Sequence, residues 1–274
     1  MKKNKIIILI VVILFLAGLA VLLYPTASDW WNTRQQSRKI ADYVDEVAVM
    51  DDERYNEMWE AAKEYNASLL EQGEPDSLTE EQKAQYNKML DVAGNGVMGF
   101  INAPSIGCTL PIYHGTDDDI LQEAIGHLDW TSLPTGGADT HCVLSGHSGL
   151  PSAKLFTNLE KMKEGDIFTL HVLDEVLTYE VDQILVVLPE DLDSVRIVEG
   201  QDYCTLVTCT PYGKNTHRLL VRGHRIENVD EPKVDYSKAN DTVIEPALLA
   251  VLIAVPVIVI LLVILLLQNR RKKG

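Results

Sequence analysis

Residues 205–220 read TLVTCTPYGKNTHRLL. The run Thr205-Leu206-Val207-Thr208 suits a buried strand and carries Cys209 to its end. Thr210-Pro211-Tyr212-Gly213 then forces the chain to turn, and a second strand opens with His217-Arg218. A strand, a turn and a returning strand put a thiol at the rim of a sheet, where a substrate can reach it. They also return a guanidinium nine residues later. A cysteine attacks as thiolate, and a free thiol with a pKa of about 8.5 holds little of it at neutral pH, so a neighbouring imidazole or guanidinium raises the reactive fraction. The five fixed donors of Arg218 suit a carbonyl oxygen or an oxyanion.

An imidazole has to come from elsewhere in the chain. Of seven histidines, His171 and His224 alternate within strand-like runs, and His217 beside the arginine points to the opposite face if the strand is regular. His147 sits in VLSGHSGLPS, after a strand Cys142-Val143-Leu144 and between small residues that leave its ring open. It is a second polar residue at a strand end.

Short strand-like segments with turn signals run from Val97 to Ile226: Gly99–Ile101, Cys108–Ile112, His141–Gly146, Ile167–Leu173, Val176–Leu188, Cys204–Cys209 and Arg218–Ile226. This spacing predicts a closed or nearly closed β-barrel, with helical pieces at Asp119–Ala124 and Ala153–Leu159, the latter with Phe156 and Leu159 inward. Ahead of the barrel, Ile40, Tyr43, Val44 and Val47, then Tyr55, Met58, Trp59, Ala62 and Tyr65, repeat at helical spacing. Ser28 and Asp29 are expected to cap the first of these amphipathic helices. EQGEPDSLT, residues 71–79, predicts a loop, and Leu78-Thr79-Glu80-Glu81-Gln82 a capped helix start running to Leu90. The glycine-rich stretch 93–99 marks the boundary to the barrel.

Two charge-free apolar runs, Ile6–Leu23 and Ala247–Leu267, are long enough to cross a bilayer as helices. Lys2, Lys3 and Lys5 flank the first, and Arg270, Arg271, Lys272 and Lys273 the second. The positive-inside rule then sets both termini in the cytoplasm and the segment between them outside the cell. The poor cleavage site at Pro25-Thr26-Ala27 argues that the first run stays as an anchor rather than leaving as a signal peptide. Pro256 in the second run is tolerable in a membrane helix. The external segment 24–246 holds all 40 acidic residues of the chain. Such a surface excludes nucleic acid as a partner. Four cysteines without a CxxC pair make neither a disulfide scaffold nor a zinc site.

LSGHSGLPSAKLFTNL, TLVTCTPYGKNTHRLLVRG, MGFINAPSIGCTLPIYHGT and GHLDWTSLPTGG resemble the sortases, and the second apolar run narrows the likeness to class C, the pilin-polymerising group. The resemblance covers roughly residues 28–268. It implies an eight-stranded sortase β-barrel over 96–228, a helical segment over 24–95, a linker over 229–246, transmembrane helices at 6–23 and 247–267, and short cytoplasmic ends at 1–5 and 268–274. It implies Cys209 as nucleophile on the Thr–Gly carbonyl of an LPxTG-like signal on secreted pilin subunits. It implies His147 as the acid for the departing amine, Arg218 as the holder of the oxyanion, and no metal or organic cofactor. The family pattern also carries a lid with an Asp-Pro-aromatic motif. Here Gly73-Glu74-Pro75-Asp76-Ser77-Leu78 stands in its place, with glutamate for aspartate and no aromatic. Glu74 is expected to pair with Arg218 while Pro75 and Asp76 leave the sulfur poorly covered.

Cys142 precedes His147, and Cys204 precedes Cys209, by the same five residues. If the two strands are parallel neighbours, as the sortase barrel implies, Cys142 and Cys204 lie together on the face opposite the catalytic side chains. Two buried small hydrophobes are expected there rather than a disulfide. Two rivals share the residues: a sortase that uses a peptidoglycan amine as acceptor, and a tethered binding module with its chemistry lost. A plain cysteine protease is disfavoured by the absence of an orienting residue for the histidine.

Overall fold

The computed structural model describes residues 2–72, 77–228 and Val255. The lid residues Glu74, Pro75 and Asp76, the whole linker 229–246, and the second apolar run apart from Val255 lie outside the described residues.

The chain opens with one long helix, α1 (Lys2–Ala48). Its first half is apolar and exposed, with Leu14 66 %, Val21 74 % and Leu22 76 % accessible. It is long and apolar enough to cross a membrane. Ser28 and Asp29 do not cap a helix. They lie inside α1, which continues unbroken through Pro25. The second half of α1 buries Ile40 and Tyr43 against the barrel, with Val44 and Val47 partly buried beside them. The Tyr43 hydroxyl donates to the Met98 carbonyl at 3.1 Å and accepts from the Leu173 N–H at 2.7 Å, tying the helix to two strand segments.

Helix α2 (Asp52–Gln72) starts where Asp51 accepts the Arg54 N–H at 2.8 Å, a side-chain cap reinforced by Asp52 and Glu53 in the first turn. Its Ala62 is fully buried, and Asn66 reaches across to Leu133 N–H, Leu133 O and Thr135 Oγ1 at 2.7–3.1 Å. Helix α3 (Glu80–Tyr86) begins with the expected capping box: Gln82 N–H donates to Thr79 Oγ1 while the Gln82 side chain accepts the Thr79 N–H. It stops short of Leu90. That residue takes a left-handed φ of 57°, which turns the chain into the barrel.

The strands are β1 (Val97–Ala103), β2 (Cys108–His114), β3 (Ile125–His127), β4 (Thr140–Ser145), β5 (Ile167–Val172), β6 (Glu175–Val187), β7 (Asp202–Thr210) and β8 (His217–Arg225), with helix α4 (Asp118–Glu123) between β2 and β3. They close in the order β1-β2-β3-β4-β7-β8-β6-β5 and back to β1. Most neighbours are antiparallel, but β2–β3 and β4–β7 run parallel. Inward residues such as Ile101, Ile112, Leu144, Phe168, Tyr179, Leu206 and Val221 form one core with the helices. A smaller cluster, Val143, Val195 and Leu220, lies under the β6–β7 connection.

Seven strands match sequence expectation, and β3 adds an eighth. The expected helix at Ala153–Leu159 is replaced by turns and a single 3-10 turn, Leu159–Lys161. Phe156 and Leu159 do point inward, both fully buried. Leu155, at φ 37°, breaks any helix there.

Buried histidines make this fold sensitive to acid. His141 Nδ1–H donates to the Arg196 carbonyl at 2.8 Å and Nε2 accepts from Thr205 Oγ1 at 2.7 Å, a neutral ring 1 % exposed. Burial pulls its pKa down to about 4, and does the same to His171; His114 is lowered by burial as well. Between about pH 6.5 and about pH 4 the unfolded chain therefore binds more protons than the folded one. The stability these rings contribute is complete above about pH 6.5 and is lost as pH falls through about 4. Denaturant unfolding at pH 7.5, 5.5 and 4.5 is expected to show a monotonic loss, on the order of 3 kcal/mol from His141 alone. A flat profile across that window would mean these rings titrate normally.

Candidate active site

Strand β7 places Cys209 one residue from its end, and β8 returns Arg218 as its direct cross-strand partner. Residues paired in this way share a face of the sheet. On the other side of β7, the parallel register pairs Ser145 with Val207, and the Gly146 N–H still donates to the Val207 carbonyl at 3.0 Å. Thr208 Oγ1 donates to the Gly146 carbonyl at 2.7 Å. Two residues past Ser145 comes His147, and two past Val207 comes Cys209. Cys209 and Arg218 thus share a face at one end of the barrel, and His147 follows the end of β4, the strand on the other side of β7.

Gly146 is where the chain leaves β4, and the fit there is close. A Cβ at this position would lie 2.8 Å from both Ile125 and Phe156 side chains. Among the described residues, the Arg218 guanidinium donates to the carbonyls of Asn215 and His217, at 3.3 and 3.2 Å. These hold it to the turn that follows Cys209.

The four cysteines divide cleanly. Cys108, Cys142 and Cys204 are buried, and Cys209 is partly exposed; all four are free thiols. Cys142 and Cys204 are direct partners across the parallel β4–β7 pair, inside the barrel, and hydrogen-bond to each other. This is the expected pair of small core residues, on the face opposite Cys209. Burial pushes the Cys108 thiol up to about 12 and the Cys204 thiol well above its ordinary value, so neither supplies thiolate at neutral pH.

A small cavity of about 80 Å³ opens on Cys209. Ser148, Phe156, Thr157 and Glu160 line it from the segment after β4, and Thr208, Thr210, Tyr212 and Leu219 from the β7–β8 side. Glu160 and Tyr212 are contributions that sequence reasoning missed, because the first sits in a single 3-10 turn and the second in a tight turn, neither long enough for a periodic signal. Tyr212 lies on Gly149: a Cβ there would fall 2.0 Å from the tyrosine ring, and Gly149 has φ 78°. Gly149→Ala therefore carries a left-handed cost of about 1–2 kcal/mol. The ring, 71 % exposed, swings off and opens the seam between the two loops. Chemistry at Cys209 is expected to slow about tenfold with the barrel still folded, read by intact-mass kinetics beside a thermal melt. Unchanged kinetics would show that the seam has no bearing on the site.

The fold agrees with comparisons to known proteins. The Sortase domain family matches residues 101–226. The crystal structure of sortase C1 from Streptococcus agalactiae is 51 % identical, with 70 % of this chain and 100 % of that one covered and a TM-score of 0.68. Sortase C from Clostridium perfringens, solved with the C-terminal cell wall sorting motif, is 42 % identical over 70 % of this chain and 99 % of that one, with a TM-score of 0.62. Sortase A of Bacillus anthracis is 26 % identical over 225 residues, 81 % of this chain and 96 % of that protein. A closed eight-stranded barrel with a single accessible thiol at its rim, and these relatives, define a cysteine transpeptidase: the chain belongs to the sortase family. Within it, the solved relatives place the chain in class C.

Proposed function

We propose that the chain cleaves an LPxTG-like sorting signal between threonine and glycine and joins the acyl fragment to a lysine amine of a pilin subunit. One observation carries the reading: the partly exposed thiol of Cys209 is the cross-strand partner of Arg218, and His147 follows the end of β4, the parallel neighbour of the strand that carries Cys209. The Cys209 sulfur attacks the threonine carbonyl, forming a C–S bond. Arg218 holds the oxygen as it gains charge. His147 gives a proton to the glycine nitrogen as the C–N bond breaks, leaving a thioacyl enzyme. The incoming amine then attacks the thioester; the C–S bond breaks as the new amide forms, Cys209 leaves as thiolate, and the proton lost by the amine passes to His147. One difficult amide exchange is split into two easier steps. A solved relative holds a cell wall sorting motif, in keeping with this substrate class.

The exposed apolar half of α1 anchors the enzyme. With the basic residues outside both apolar runs, the reading is a two-pass protein whose termini are cytoplasmic and whose barrel meets secreted pilins outside. Intact-mass analysis of the full chain with an LPxTG-type peptide tests the first half-reaction: the expected mass gain maps to Cys209. Adding purified pilin tests the second, where a covalent ladder is expected. An acyl-enzyme that reacts with a peptidoglycan amine and leaves pilin untouched would move the function to wall anchoring.

A further inference from the structure

The segment after β4, residues 148–158, has two walls. Its inner wall, with Ser148, Phe156 and Thr157, faces Cys209. Its outer wall is held by α1. Asp29 Oδ1 accepts the Lys154 backbone N–H at 2.9 Å, Asp29 Oδ2 pairs with Lys154 Nζ at 3.0 Å, and Asn32 Nδ2 donates to the Ser152 carbonyl at 2.8 Å. Farther along, the helix also reaches the barrel side through Gln36, whose Nε2 donates to the Glu123 carbonyl. Its face from Thr26 to Gln36 lines a cavity of about 370 Å³, with Cys108, Leu110 and Leu155 opposite. Polar bonds, not close packing, join helix and loop here.

From the clamp to the histidine is a short path. Two residues beyond Lys154, the Phe156 N–H donates to the His147 carbonyl at 3.1 Å. Farther along, Thr157 Oγ1 accepts the Gly149 N–H at 2.9 Å. Between the two anchored residues sits Leu155, at φ 37°. A left-handed leucine is strained and persists only where its surroundings hold it. The bond from Asp29 holds one side of it, and the bond to His147 holds the other.

We propose that Asp29 and Asn32 of the stalk helix α1 are positioning residues for the reaction: they fix the 148–158 segment and, through Phe156, set His147 against Cys209. The inference rests on the reading of His147 as the acid in acyl transfer. It makes the membrane-proximal part of α1 a component of the active site's support as well as an anchor. Of the two links made by Asp29, the one to the backbone carries the effect. Lys154 is 63 % exposed, and exposed ion pairs contribute little.

The test uses the full chain in detergent micelles, with an LPxTG-type peptide and single-turnover acylation read by intact mass. Asp29→Ala/Asn32→Ala is expected to slow acylation at least tenfold, since displacements of about 1 Å cost up to about 10²-fold, while the thermal midpoint stays at the wild-type value. Asp29→Asn keeps an oxygen for the Lys154 N–H, and Lys154→Met removes the ion pair while keeping that backbone N–H. Both are expected to remain within threefold of wild type. A double variant that acylates at the wild-type rate overturns the proposal. So does one whose melting point falls with its rate, because the clamp would then serve stability alone. Rates in Asp29→Asn as low as in the double variant would overturn the backbone link. If the wild-type chain forms no acyl-enzyme, the acyl-transfer reading falls first and takes this inference with it.

Discussion

Cys209→Ser is expected to lower the rate of acyl-enzyme formation by about 10⁴-fold or more and leave the fold unchanged. The substitution alters one atom at a partly exposed strand end, so packing changes little. The chemistry changes greatly. A thiolate is a strong nucleophile, whereas a hydroxyl must lose its proton to a base as it attacks. None of the other cysteines can substitute. Cys108, Cys142 and Cys204 are 6 %, 2 % and 0 % exposed, and the last two lie on the inner side of the sheet. Single-turnover intact-mass measurements, with a thermal melt to show folding, check the expectation. Acylation of the serine variant within tenfold of wild type, or an acyl group mapped to another residue, would remove Cys209 from its role.

Much of this site is legible in the sequence because it lies on strands. Strand residues obey a period of two, so the equal five-residue offsets from Cys142 to His147 and from Cys204 to Cys209 carry through directly to the Cys142–Cys204 register of the parallel pair. The capping box at Thr79 and Gln82 is legible for a similar reason, being a local exchange of hydrogen bonds. What escapes is set by tertiary contact. Strand β3 has three residues, too few for a period to show. It exists because Gly126 admits the Gly115 carbonyl to a place where a Cβ would sit 2.0 Å away. Phe156 and Leu159 have helical spacing and are buried, yet the backbone between β4 and β5 is shaped by the left-handed Leu155 and by bonds to His147 and α1. Ser28 and Asp29 have the chemistry of caps. The apolar run before them propagates the helix straight through, and Asp29 spends its carboxylate on a loop 125 residues away.

Arg218→Lys is the second large effect, expected to slow acylation by about 10²–10³-fold. The charge is retained, so the loss isolates geometry. Arginine presents donors in a planar fork, while lysine offers one compact, strongly hydrated ammonium on a flexible stem. Here the fork is held from behind: the carbonyls of Asn215 and His217 accept from one terminal nitrogen, Nη1, at 3.3 and 3.2 Å. The proposed role asks the remaining donors of the same rigid plane to meet an oxyanion forming at Cys209, its cross-strand partner. A lysine tethered to those carbonyls would have its ammonium engaged by them; released, it would lack orientation. The cost belongs to the transition state, because the charge on the oxygen develops there, so the acylation rate constant falls more than peptide binding does. Rate constants across a series of peptide concentrations separate the two. A lysine variant with a wild-type rate constant and weakened binding would make Arg218 a substrate-holding residue, with the oxyanion stabilised by other donors.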